Sequence, residues 1–261
     1  MQKLPASTGW LWIKQGVALF RKQPAELSTL FLAYMFLMLV IGIIPVLGQL
    51  LPLILVPVFA IAFMQACANI EKGERVYPSL LMTGFRSPLF KRLATLGVLY
   101  VLAALVAIGA SSLVDGGFLW QAMTGQTSIA PEKFDSSSLL LAIITAVVLY
   151  IPAAMAFWYA APLIAWQDMS VGKAIFYSFY TVRREYRAFL VYAGIWIALG
   201  VLVPAILSTL VAFVVGNADV AIFVLLPMSI VLTVIMYSSF YPTYKQVFID
   251  SATEAEVSTP E

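Results

Sequence analysis

Six long apolar stretches, none interrupted by a charged residue, limit the fold of this chain more than any other feature. They run roughly over 27–46, 50–69, 93–113, 138–165, 188–214 and 220–241. A helix needs about 20 mostly apolar residues to cross a hydrocarbon core about 30 Å thick, and each stretch is long enough. Composition agrees: 62% of the 261 residues are hydrophobic and 11% are charged, where soluble domains carry about 25% charged residues. With a mean hydropathy of +0.96, soluble domains of this length would lack the polar surface to cover their apolar residues. The expected fold class is all-α: a polytopic membrane protein with six transmembrane helices and amphipathic helices on the cytoplasmic side.

The connections order the spans. Spans one and two are separated only by "LGQL", with Pro45 and Pro52 at the bend, and spans five and six only by "GNAD"; both pairs read as tight hairpins. The one long external loop is "DGGFLWQAMTGQTSIAPEKFDSS", between spans three and four. Orientation follows from lysine and arginine, which concentrate in cytoplasmic loops. Of the 15 lysines and arginines, all but Lys133 fall on the side of the two termini, so both termini are expected in the cytoplasm. The apolar sequence begins only near residue 27, so no cleavable signal peptide is expected and the first span serves as its own insertion signal.

The cations recur in a pattern. "FRKQP", "GFRSPLFKR" and "VRREYR" each stand before an outward-going span, where anionic headgroups attract basic residues. Whether this marks a true threefold repeat of the hairpins stays open. The preceding segments carry helical periodicity. Trp10, Trp12, Ile13, Val17, Leu19 and Phe20 fall on one half of a helix and Lys14, Gln15, Arg21 and Lys22 on the other. Val171, Ile175, Phe179, Val182 and Tyr186 share a face opposed by Lys173, Tyr177, Arg184 and Arg187, with Ser170 as N-cap. The middle segment, "PSLLMTGFRSP", is short and broken by Gly84 and Pro88. Helices of this kind lie in the membrane interface with their apolar face among acyl chains. They anchor the bundle, or they also present a docking surface for phosphates, whose contacts would be Arg21, Lys22, Arg183, Arg184 and Arg187. The organisation is thus an amphipathic N-terminal segment over 1–26, a six-helix membrane domain over 27–241, and an acidic, disordered cytoplasmic tail over 242–261.

The residues needed for most chemistries are missing. The chain has no histidine and one cysteine, which excludes disulfides, His-based metal sites and Ser-His-Asp catalysis; Cys67 reads as a buried thiol. No phosphate loop, dinucleotide fingerprint or zinc spacing occurs. No catalytic residue, cofactor, metal or nucleic-acid contact is expected, and the chain is read as a non-enzyme. No ionisable residue lies inside a span; Asp115 is explained by the helix end and Asp219 by a turn. Gln65, Asn69, Ser111 and Ser112 read as interhelical hydrogen bonders. Trp158, Tyr159 and Trp166 read as interfacial aromatics. Pro52, Pro57, Pro152, Pro162, Pro204 and Pro227 kink their spans, with spans two and four bordering any lipid-sized cleft.

"GWLWIKQGVALFRKQP", "GFR", "LVDGG", and "MAFWYAAPLIAW" leading to "AIFYSFYTVRREYRAFLVY" carry a resemblance that covers nearly all of the chain except its tail. It resembles an uncharacterised family of six-span inner-membrane proteins of Gram-negative bacteria, and more distantly the YciC-like proteins and the membrane domain attached to some glycerophosphodiester phosphodiesterases. That resemblance implies fold and location and brings no catalytic residue. The leading functional reading is a non-enzymatic protein that handles or senses lipid, anionic lipid included, or supports envelope assembly. A permease for an uncharged or amphipathic solute and a scaffold docking a cytoplasmic partner fit the same sequence, which identifies no protein partner.

Overall fold

The structure is a computed structural model describing residues 3–44, 47–117, 119–121, 136–215 and 218–250. Pro45, Lys133 with most of the long loop, and residues 251–261 lie outside that range. Among the described residues there is no strand. The helices are α1 (Thr8–Lys22), α2 (Pro24–Gly42), α3 (Leu47–Glu71), α4 (Thr83–Arg86), α5 (Phe90–Asp115), α6 (Ser136–Phe157), α7 (Ala160–Gln167), α8 (Val171–Arg184), α9 (Tyr186–Ile197), α10 (Val203–Val215) and α11 (Ile222–Tyr244). Six stretches are long and apolar enough to cross a membrane: Pro24–Gly42, Leu50–Glu71, Phe90–Asp115, Leu139–Gln167, Tyr186–Val214 and Ile222–Asp250. The expected six-span, all-α architecture is present. The last span outruns its expected end, because a π-turn over Lys245–Asp250 continues α11.

Several spans are composite, and proline accounts for one of the breaks, as it does for the corner between α1 and α2. In the fifth, a π segment at Ala198–Leu202 directly precedes Pro204; the wider turn accommodates a residue that cannot donate to the preceding turn. At the basic end, α1 stops at Lys22. Gln23 takes φ −143° and ψ 67° because the ring of Pro24 disfavours helical backbone in the residue before it. Pro24 then starts α2, where a missing N–H costs nothing.

The chain divides into two compact units. The first comprises residues 1–40, 59–87 and 183–261. Its core is aromatic: the Phe63 ring of α3 stacks on Tyr237 of α11 at 4.5 Å between centroids, and Tyr34 of α2 meets Phe59 and Phe63 edge-on at 5.2 and 5.7 Å. Cys67 is buried, with its Sγ 3.9 Å from the Ser238 carbonyl. α1 packs against α9 and α11, which corrects the expectation that its apolar face lies among acyl chains. Trp12, Ile13 and Leu19 are buried in protein, while Trp10 and Leu11 are exposed. Trp12 leans on Phe189 and Tyr192 at 5.2 and 6.0 Å and donates its indole N–H to Gln246 Oε1 at 2.7 Å. Gly9 and Gly16 permit this approach: a Cβ on Gly9 would stand 2.3 Å from the Ala188 carbonyl oxygen, and one on Gly16 2.5 Å from Ser239.

The second unit comprises residues 41–58 and 88–182. Here α5 packs along α6, with Tyr100 stacked on Phe157 at 4.4 Å and donating its hydroxyl to the Phe157 carbonyl at 3.0 Å. Against α3, Gly97 lies so close to Ile54 that a Cβ would overlap its carbonyl. The fourth span breaks between α6 and α7, and Ser178 of α8 repairs the break. In an unbroken helix the Tyr159 N–H would bond the Met155 carbonyl. Instead Ser178 Oγ accepts from the Tyr159 N–H at 2.9 Å and donates to the Met155 carbonyl at 2.8 Å, so a hydroxyl is inserted into one rung of the ladder. Tyr159 is thereby drawn into the core, fully buried, and is not the interfacial aromatic expected. α8 also differs from its expected face: Ala174, Ser178, Thr181 and Val182 are buried, whereas Phe176, Tyr177 and Tyr180 are exposed.

Two of the polar residues expected to bond between helices bond within their own. Gln65 bonds Asn69 one turn along at 2.8 Å, and Ser111 bonds the Ile108 carbonyl at 2.7 Å. Tyr192 of α9 does bond across to Ser239 of α11, at 2.7 Å. Asp115 accepts from the Gly117 and Leu119 N–H groups at 2.9 and 2.7 Å, closing a turn in which Gly116 and Gly117 take φ of 63° and 89°.

Candidate functional site

The basic end of the first unit brings together the C-terminal ends of α1, α3 and α11. Arg21 and Lys22 occupy the last turn of α1, where the carbonyls favour cations. The Gln23 side chain fixes the corner by donating to the Glu74 carbonyl at 2.7 Å and accepting from the Val76 N–H at 3.0 Å. α3 ends on Glu71. From α11 and its π-turn, Tyr241 and Lys245 sit one turn apart and both reach Glu71: the tyrosine hydroxyl donates to Oε2 at 2.8 Å and the Lys245 ammonium to Oε1 at 2.5 Å.

These three helix ends enclose a cavity of about 250 Å³, whose polar lining includes Gln15, Lys22, Glu71, Tyr241, Lys245 and Asp250. Gln15 and Lys22 are seven residues apart, two turns on one face of α1. Glu71 accepts a bond at each oxygen, so its charge is committed within the wall. Lys245 has three N–H donors, one of which goes to Glu71 in the bonds above. Lys22 makes no hydrogen bond or ion pair among the described residues. The chemistry on offer is cationic donation beside an exposed carboxylate, Asp250. This suits a phosphate-bearing group.

The five residues expected to meet phosphates fall into two groups at opposite ends of α1. Arg21 and Lys22 are exposed at its C-terminal end, Lys22 in the cavity wall. Arg183, Arg184 and Arg187 flank the α8–α9 junction, next to the chain leading into α1, since Leu4 N–H donates to Glu185 Oε2 at 2.7 Å. The 15 residues of α1 span about 21 Å, so the two groups do not form one site. Their chemistry differs too. Arg184 Nε is bound to Glu185 at 2.6 Å, and Arg187 donates to the Tyr186 hydroxyl at 3.2 Å while lying over its ring. Arg21 and Arg183 make no such bond among the described residues. Glu185, Glu71, Tyr241 and Lys245 escaped the sequence reading. The signal for Glu185 was a lone acid inside "VRREYR"; its side chain is fully buried.

Comparison with known proteins places this architecture. No family model and no solved structure matches the chain. It is 39% identical over 251 residues, 94% of this chain and 93% of the other, to a Burkholderia thailandensis protein named "Probable inner membrane protein". Likeness at that level over nearly the whole of both chains, together with the six apolar helices, is decisive: the chain belongs to the same family of multi-pass inner membrane proteins as this Burkholderia protein.

Proposed function

We propose that the protein is a non-enzymatic inner-membrane component that handles or senses phospholipid, holding a headgroup phosphate at its basic end. Both termini then face the cytoplasm, as the distribution of lysine and arginine favours. The observation that carries this reading is the half-open cavity between α1, α3 and α11, whose wall Lys22 lines beside Glu71 while making no hydrogen bond or ion pair of its own among the described residues. Lys245 adds donors from the opposite wall. The cavity lies at the ends of two stretches long and apolar enough to cross a membrane, α3 and α11 with its π-turn, the level at which headgroups meet such spans.

The test is native mass spectrometry of the purified protein titrated with anionic and zwitterionic phospholipids. Lys22→Gln is expected to weaken phospholipid retention about tenfold, the loss typical of one charge-assisted hydrogen bond. Arg184→Gln is expected to leave retention unchanged, because that guanidinium is already bound to Glu185. Equal retention by wild type and Lys22→Gln refutes the phosphate role of the cavity.

A further inference from the structure

The second unit carries a groove along one side of the α5–α6 pair, about 570 Å³ in volume. Leu99, Ala103 and Ala110 of α5, Pro152 and Ala153 of α6 and Ile175 of α8 contribute to its lining, and no polar side chain does. It exists because alanines face the seam from both helices. Small residues bring backbones together at such a seam, and here they leave a trough beside it that larger side chains would fill.

One cation is aligned with this trough. Arg92 precedes Leu99 by seven residues, two turns of α5, so both lie on the same helix face. The rise of 1.5 Å per residue places Arg92 about 10 Å nearer the N-terminal end of α5 than Leu99. Its Nη1 bonds Asp168 through Oδ1 at 2.7 Å and the carbonyl at 3.3 Å, and its side chain is still 43% exposed. A guanidinium has five N–H donors, so a bidentate face remains for a phosphate.

We infer that this groove is a phospholipid site, with one acyl chain lying between α5 and α6 and the phosphate at Arg92. The lengths agree. Half of a bilayer, headgroups included, is about 20–22 Å thick, and the rise from Arg92 to Val106 in the groove wall is about 21 Å. A lipid with its phosphate at Arg92 therefore lays its chain through the groove to Val106, and a longer chain reaches Ala110. A smaller trough of about 370 Å³ on the same helix pair, lined by Ala104, Ile108, Ala146 and Ile151 among others and sharing Ala107 with the groove, provides a comparison. This inference extends the lipid reading but uses no residue of the Lys22 cavity, so either can fail alone.

The experiment uses the full chain in nanodiscs doped with a phospholipid bearing a diazirine at the end of one acyl chain, followed by mapping of the crosslinked peptides. Label is expected to concentrate on residues 103–110 and 149–156, above the level on the lipid-facing side of α2 around Leu32 and Leu39. Ala153→Phe fills the groove and is expected to remove that excess, whereas Ala146→Phe, in the smaller trough, is expected to leave it. Arg92→Gln is expected to reduce the excess about five- to tenfold without refilling the groove. Label spread evenly over all lipid-facing helices in the wild type overturns the site outright. Labelling that persists in Arg92→Gln overturns the phosphate assignment.

Discussion

Ser178 offers the sharpest test of how this fold is held together. The substitution Ser178→Ala removes one oxygen and with it two hydrogen bonds, to the Tyr159 N–H at 2.9 Å and the Met155 carbonyl at 2.8 Å. Hydrogen bonds between membrane helices contribute about 0.6 kcal/mol on average and up to about 1.7, so two lost bonds cost about 1–3 kcal/mol. The upper part of that range applies if the break is rigid, because both backbone groups are then orphaned where no water replaces the hydroxyl. The lower part applies if α6 and α7 close up so that Tyr159 bonds Met155 directly. Closing carries its own cost, because Tyr159 and Ser178 are both fully buried and straightening the span displaces the tyrosine from the core. Unfolding titrations in mixed micelles, extrapolated linearly, should therefore show a loss of about 2 kcal/mol, or about 4–8 °C in a melting scan. A stability within about 0.5 kcal/mol of wild type would mean that the inserted hydroxyl contributes no more than an ordinary surface change, and the account of the break would be wrong.

Two further substitutions probe the first unit. Glu185→Gln removes the charge that holds Arg184 Nε and the Leu4 N–H; charge-assisted bonds are worth about 1.5–3 kcal/mol each, so tryptic cleavage after Lys3 should accelerate well beyond the wild-type rate, and an unchanged rate would show that this carboxylate does not secure the N-terminal segment. Gly16→Leu drives a side chain into Ser239, 2.5 Å from where its Cβ would stand, and should cost about 1–3 kcal/mol by overpacking, whereas Gly172→Ala, with open space around it, should be neutral or slightly stabilising; equal melting temperatures for the two variants would contradict the docking of α1.

The spans were legible because an uninterrupted apolar run is a one-dimensional signal: length and absence of charge suffice, and no partner needs to be known. What the sequence hid depends on partners far along the chain. Trp10 and Trp12 read alike, yet only Trp12 finds Gln246, 234 residues away, and is buried. Gly9 and Gly16 carried no signal in a helix judged by its large apolar residues, although they decide that α1 lies on protein. Ser178 was one polar residue among several in an amphipathic segment, and its role follows from a break in another helix. The lipid-sized cleft was expected beside spans two and four. Pro152 of span four does border the groove, but its opposite wall is span three. That helix contains no proline. Alanines facing one another make the space, and a search for kinks passes over them.

The cations illustrate how one feature can serve two purposes. A lysine or arginine orients a span by its charge alone, whatever it later touches. Once the helices are packed, the cations separate by what the fold places beside them. Arg92, Arg184 and Lys245 each meet a carboxylate within 2.7 Å, from Asp168, Glu185 and Glu71, and each of those acids stands at the end of a helix or the junction between two. Such pairs tie chain ends together and draw charge away from a passing phosphate, most completely at Arg184, whose Glu185 is buried, and least at Arg92 and Lys245, whose side chains stay 43% and 35% exposed. Arg21, Lys22 and Arg183 have no carboxylate within salt-bridge distance among the described residues. A basic residue near an anionic surface contributes about 1 kcal/mol of attraction, and that figure applies in full only to the cations left unmatched. Of those three, Lys22 is the one that lines the cavity at the basic end of the first unit, beside Glu71, so its charge is the one placed to meet a headgroup phosphate there.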